Sequence, residues 1–174
     1  MAKTVFDKIL DTTTGPKSYD WYRKQVKSMT TPGPRALINS GKATLKPKYG
    51  MMNLFGYDPK HKATLPYYDT FPLIMPLQAA KGGLYGLNFH YLPMAQRVLF
   101  LRQLSKYASD KNFDRNTRYN LTGGIENNRY FKLCIKHYLW NHVRSSFLNI
   151  HPDEMAIGIF LPVAQFRGGS FGNI

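Results

Sequence analysis

The chain has 174 residues, 43% hydrophobic and 14% aromatic, with 24 Lys and Arg against 10 Asp and Glu, a formal charge of +14. That length fills one domain, or one domain with arms, and buries enough core to need no disulfide or metal staple. Its single cysteine, Cys134, excludes an intramolecular disulfide framework, no apolar run is long enough to span a membrane, and MAKTVFDKILDTTTG lacks a secretory apolar region. The expected compartment is a reducing cytoplasm, with no membrane partner.

The charge is uneven. Residues 1–50 hold ten basic and three acidic residues, a net +7, while 51–100 reach only +2 and 101–174 reach +5. A basic excess of this size points to nucleic acid, an acidic protein surface or anionic lipid. Twelve Tyr and eleven Phe suit a protein with a large contact surface.

In chain order, residues 1–48 are expected to form a basic N-terminal arm, 49–163 an α+β core domain, and 164–174 a flexible tail. Val5, Phe6, Ile9 and Leu10 make one short amphipathic turn that needs tertiary support. Residues 18–29 read as a helix, with Ser18 as N-cap and Asp20 suited to the positive end of the dipole. Arg23, Lys24 and Lys27 lie on or beside its polar face. Residues 30–48, rich in Gly, Pro and Lys, read as an irregular basic connector carrying Arg35, Lys42, Lys46 and Lys48.

The core opens with a strand over 49–57, followed by a long loop over 58–72. A second strand is expected at 73–77, where Pro76 suggests an edge, then the Lys81-Gly82-Gly83 turn and a third strand over 84–91. Pro93 starts a helix over 94–107. Residues 110–116 read as a polar loop, 117–121 are ambiguous, and Gly123-Gly124 breaks the pattern. Phe131, Leu133, Ile135, Leu139, Trp140, Val143 and Phe147 predict a helix over 129–148, with Lys132, Lys136 and Arg144 as its basic side. Residues 155–163 read as a fourth strand. The fold class expected is α+β: a small antiparallel sheet resembling a partly open SH3-like barrel, two main helices and an extended basic N-terminal arm.

Catalytic chemistry is not indicated. No Walker loop or dinucleotide fingerprint occurs, and each glycine pair reads as a turn. His137 and His142 are five apart, the wrong spacing for two ligands on one helix face. A metal-dependent nuclease would need clustered carboxylates. Asp58 and Asp69, with His90 nearby, are the only candidates, and turn, capping and core roles explain each of them. Cys134 reads as core, and the single Arg167-Gly168-Gly169 is too short for an RGG segment. No cofactor, metal or catalytic residue is assigned. The loop 58–72 exceeds what a simple connection needs, so Lys60, His61, Lys62, Tyr67 and Tyr68 form a candidate partner-contact surface.

Five pieces carry a family resemblance: DWYRKQ, FGYDPKHKATLPYYDTFPL, GLNFHYLP before a helix, CIKHYLWNHVRSSF and PDEMAIGIFLPVAQF. Together they span most of the chain. It resembles the DNA end protectors, or head completion proteins, of contractile-tailed phages of the T-even type and their marine relatives. The resemblance implies a non-enzymatic virion component, assembled in the host cytoplasm, that binds packaged DNA termini or completes the head–tail neck. Portal, neck or tail subunits in a symmetric multimer would be its protein partners. The candidate contacts to DNA phosphates, without sequence readout, are Arg23, Lys24, Lys27, Arg35, Lys42, Lys46, Lys48, Lys132, Lys136 and Arg144. A neck, tail or baseplate part that touches only protein is the alternative.

Overall fold

The computed structural model describes residues 2–12, 14–40, 42–108 and 129–168. The readings at 110–116, 117–121 and Gly123-Gly124, and the tail beyond Gly168, lie outside the described residues. Eight strands are described: β1 (Ala43–Thr44), β2 (Met52–Leu54), β3 (Tyr68–Asp69), β4 (Leu73–Ala80), β5 (Gly83–Asn88), β6 (Ile135–Leu139), β7 (Phe147–Ile150) and β8 (Phe166–Arg167). Six form one antiparallel sheet in the order β1-β7-β2-β4-β5-β6, and β3 pairs with β8 in a separate ribbon. The end strands β1 and β6 do not pair, so the sheet stays open. The fold is α+β.

Strand alternation sorts the core into two clusters. Leu73, Met75, Leu77 and Leu87 join the cluster that the helices cover, and Ile74, Leu84 and Tyr138 pack with Phe55, Tyr57 and Phe147 in the other. The helices are α1 (Val5–Leu10), α2 (Tyr19–Ser28), α3 (Pro34–Ile38), α4 (Met94–Ala108), α5 (Arg129–Lys132) and α6 (Met155–Gly158). Short α1 finds its support within the chain, because Val5, Phe6 and Ile9 are buried against the sheet's core. A capping box between Thr4 and Asp7 closes its first turn. In α2, Ser18 accepts from the Trp21 amide, as its sequence suggests.

Several expectations change. The connector 30–48 contains α3, started by Pro34 and burying Leu37 and Ile38, and the short strand β1. The first strand contracts to β2, with Tyr57 bridging Val143 further on. Strand β4 is central, not an edge. Pro76 is tolerated because β2 pairs only with Leu73 and Ile74, and the β4–β5 register shifts just after Pro76. The third strand ends at Asn88, whose side chain accepts from the His90 amide and starts a 3-10 turn over Phe89–Tyr91.

The helix expected over 129–148 is overturned. Only α5 is α-helical, with a 3-10 turn at Trp140–His142; Ile135–Leu139 instead pairs with Gly83–Leu87, and Phe147–Ile150 pairs with β1 and β2. Ile, Tyr and Leu in this stretch suit a strand once β5 offers a free side. Leu133 and Trp140, expected inside, are 74% and 46% exposed. The strand expected over 155–163 is overturned too. A capping box between His151 and Glu154, with Pro152 in the first turn, starts a 3-10 turn that runs into α6.

Gly83 is where β6 comes closest. A Cβ there would lie 1.8 Å from the Tyr138 carbonyl oxygen, a backbone atom that cannot yield without parting the strands. Gly83→Ala should therefore lower unfolding stability by more than about 2 kcal/mol. Gly33→Ala, where a Cβ meets nothing, should cost less than about 1 kcal/mol. Urea unfolding of the two variants checks this.

Candidate nucleic-acid interface

The long loop 58–72 is tied down by one carboxylate. Asp69 is buried, and its Oδ1 accepts from the Phe71 amide at 3.0 Å and the Gln165 amide at 3.2 Å. Its Oδ2 accepts from Asn88 Nδ2 at 3.2 Å and from His90 Nδ1. Asn88 also reaches the buried Tyr138 hydroxyl. Burial opposes charge on Asp69, but donation from His90, His90's charge and the further hydrogen bonds outweigh it and hold the carboxyl below its ordinary range. The clasp joins the end of the loop, β5 and the C-terminal ribbon. Thr70 adds two bonds to the Gln165 carbonyl through its amide and hydroxyl.

On one side of the clasp lies a cleft of about 480 Å³ lined by Arg35, Arg144 and Arg167 with Tyr57, Thr70, Phe71, Ser145 and Ser146. Among the described residues no acidic side chain lines it. Arg35 reaches it from α3, with its guanidinium over the Phe71 ring, and Arg167 from β8. Arg144 follows the 3-10 turn Trp140–His142; its Nη1 donates to the Asn141 carbonyl at 2.8 Å, and its Nη2 lies 3.6 Å from Asp58. Among the described residues no carboxylate lies within ion-pair distance of Arg35 or Arg167.

Tyr57 also lines a second groove, of about 540 Å³, walled by the loop on one side and β6 on the other. Lys60, His61, Tyr67 and Tyr68 from the loop line it together with Lys136, His137 and Tyr138 from β6 and Tyr91 from the turn after β5. Lys62 turns away to Asp58 at 2.8 Å.

The remaining candidates scatter. Lys42 is held by Glu154 at 2.7 Å and Asp7 at 3.5 Å, and the Glu154 hydrogen bond raises its pKa. It lines a hollow with Lys48, Asp153 and Glu154, where acids offset the cations. Lys46 borders an apolar hollow of about 550 Å³ with Leu45, Tyr49 and Trp140, all exposed. Arg23 pairs with Asp20 at 3.0 Å, and Arg23, Lys24, Lys27 and Lys132 are exposed on α2 and α5 outside these hollows. The expected basic side of one helix does not exist, since Lys132 sits on α5, Lys136 on β6 and Arg144 in the connection before β7. Arg167, Tyr91, Tyr138 and His137 are additions the sequence did not single out as contacts. The one local signal was Arg167's place beside two glycines.

His90 does meet Asp69, as a nuclease would need, but both side chains are buried and the carboxylate already takes four donors. Among the described residues no group of three or more His, Cys, Asp and Glu could hold a metal ion. Cys134 is core, its thiol pushed up to about 11 by burial.

Three arginines around one cleft and a tyrosine-rich groove beside it, on a chain of +14, give this face a charge complementary to a polyanion. The family model for the phage T4 terminal DNA protecting protein matches residues 3–172, and the chain belongs to that family. No curated protein and no solved structure matches it significantly.

A carboxyl with a depressed folded pKa stabilises above its ordinary value of about 3.9 and loses that contribution as pH falls through the folded value. Asp69→Asn should therefore cost about 3 kcal/mol at neutral pH. The gap to the parent protein should close as pH falls below the ordinary carboxylate range. Urea midpoints of both proteins across the acid range measure this.

Proposed function

We propose that this protein is a non-enzymatic structural component of a phage particle that covers DNA termini, gripping the phosphate backbone without reading sequence. The observation that carries this reading is the convergence of Arg35, Arg144 and Arg167, from three distant parts of the chain, on one acid-free cleft. Guanidinium groups match phosphate oxygens bidentately, and arginine stays charged at any pH the particle meets. Membership of the family supports the choice of DNA ends as the ligand.

Lys46, Lys48, Arg23, Lys24, Lys27 and Lys132 would add phosphate contacts at longer range. Lys42 is occupied within the protein and contributes to its stability instead. The site is the virion, reached by assembly in the host cytoplasm. Contact with portal, neck or tail subunits, as a symmetric multimer closing the head–tail neck, is favoured by a separate feature. The hollow of Leu45, Tyr49 and Trp140 exposes apolar surface that suits a protein neighbour better than phosphate.

Salt titration of duplex binding tests the reading. Each of Arg35→Ala, Arg144→Ala and Arg167→Ala should lower the log–log salt slope by about 0.9, and each should weaken protection of a linear duplex against an exonuclease. Lys42→Ala should leave the slope unchanged. Duplex binding indifferent to salt, or absent, would overturn the reading and leave the basic residues to acidic protein surfaces.

A further inference from the structure

The groove between the loop 58–72 and β6 is not a phosphate track. Much of its lining is aromatic: Tyr67, Tyr68, Tyr91 and Tyr138 stand there with His61 and His137, and the one carboxylate among the described lining residues, Asp69, is buried and taken up by its four donors. Tyr67 and Tyr91 lie 5.7 Å apart, both against Phe166, so the far wall is a packed aromatic bank. Lys136 stands against that bank. Lys136 Nζ sits 4.6 Å from the centre of the Tyr91 ring, and burial lowers its pKa. No carboxylate lies within ion-pair distance of it among the described residues. A half-buried ammonium without a counter-charge is costly, and a bound anion would offset that cost. Lys60 and His61, exposed on the opposite lip, leave the mouth basic.

Aromatic walls around a desolvated cation suit a ligand with a flat ring at one end and a phosphate at the other. The volume, about 540 Å³, falls within the range of small-ligand sites. Buried Tyr57 lines both the groove and the arginine cleft, so the two hollows lie within one side chain's length of each other. The bases of an intact duplex are stacked and cannot enter such a groove, whereas an unpaired nucleotide can. We propose that this groove seats an unpaired nucleotide at the DNA terminus, with its phosphate on Lys136 and its base among Tyr67, Tyr68 and Tyr91. This rests on the DNA-end reading above and adds to it: the cleft holds the shaft, and the groove distinguishes an end from a shaft.

The test uses the full-length protein and three DNAs of one sequence: a dumbbell closed at both ends, a blunt hairpin, and that hairpin with a short single-stranded thymidine tail. The parent protein should bind the tailed hairpin roughly tenfold more tightly than the dumbbell, the scale of one stacked base. Lys136→Met, which keeps the stem and removes the charge, should bring the tailed hairpin down to the dumbbell's affinity while leaving the dumbbell's unchanged. Lys60→Ala with His61→Ala, at exposed positions that bear no fold, should reduce the same preference. A tail preference that survives both variants would overturn the proposal. So would a Lys136→Met protein that weakens all three DNAs equally, since Lys136 would then be one more backbone contact. Equal binding of tailed hairpin and dumbbell by the parent protein would overturn the groove's role, with salt-dependent duplex binding still standing. Failure to bind any of the three would instead overturn the DNA reading itself.

Discussion

The buried carboxylate of Asp69 is the constraint from which the functional side is built. A charge in the interior is tolerated only when donors replace its lost water, and four do so here. Those donors come from the loop's own end, from Asn88 at the end of β5, from His90 in the turn after it, and from Gln165 near the C-terminus. One side chain thus joins three segments, which the β3–β8 pairing and the packing of Tyr67 and Tyr91 on Phe166 also hold together. The loop gains a fixed wall, and β8 is set beside β3, which puts Arg167 into the cleft with Arg35 and Arg144. Arg97 reinforces the neighbouring turn by donating to the carbonyls of His90, Leu92 and Ile159.

Net charge says less than where the charges are spent. Lys42 closes an ion pair between the N-terminal segment and Glu154, Lys62 closes one across its own turn, and Arg23 pairs along its helix. Those cations are part of the fold. The cleft arginines and Lys136 differ, because Arg35, Arg167 and Lys136 have no acid in ion-pair reach among the described residues, and Arg144 only a long contact to Asp58. An anion such as the phosphate proposed above would supply the counter-charge these positions lack.

Local signals were legible where one segment decides its own structure. Ser18 and Asp20 mark the start of α2, Lys81 and Gly82 join β4 to β5, and Pro93 opens α4. The stretch 129–148 misleads because Phe131, Leu139, Val143 and Phe147 fit a helical stripe, while β6 within it depends on pairing with Gly83 and Gly86 some fifty residues earlier, and β7 on β1 and β2. Met155 to Val163 alternates like a strand, yet the cap at His151, Pro152 and Glu154 was the stronger signal. At the site, Arg35 and Arg144 stood among the candidates for their charge alone. Their meeting with Arg167, and the withdrawal of Lys42 into an ion pair, depend on contacts between distant segments. The loop 58–72 stood out in the sequence by its length, but the rest of its groove's lining, Tyr91, Lys136 and Tyr138, comes from elsewhere in the chain.

Hydrogen exchange of the protein alone and bound to a short open-ended duplex tests most directly whether the Asp69-clasped side is the DNA-bearing one. Slowed exchange is expected in residues 58–72, 135–146 and 165–168, with the amides of α2 unchanged. Slowed exchange confined to α2 and the N-terminal segment, with the loop and the arginine cleft unaffected, would contradict it.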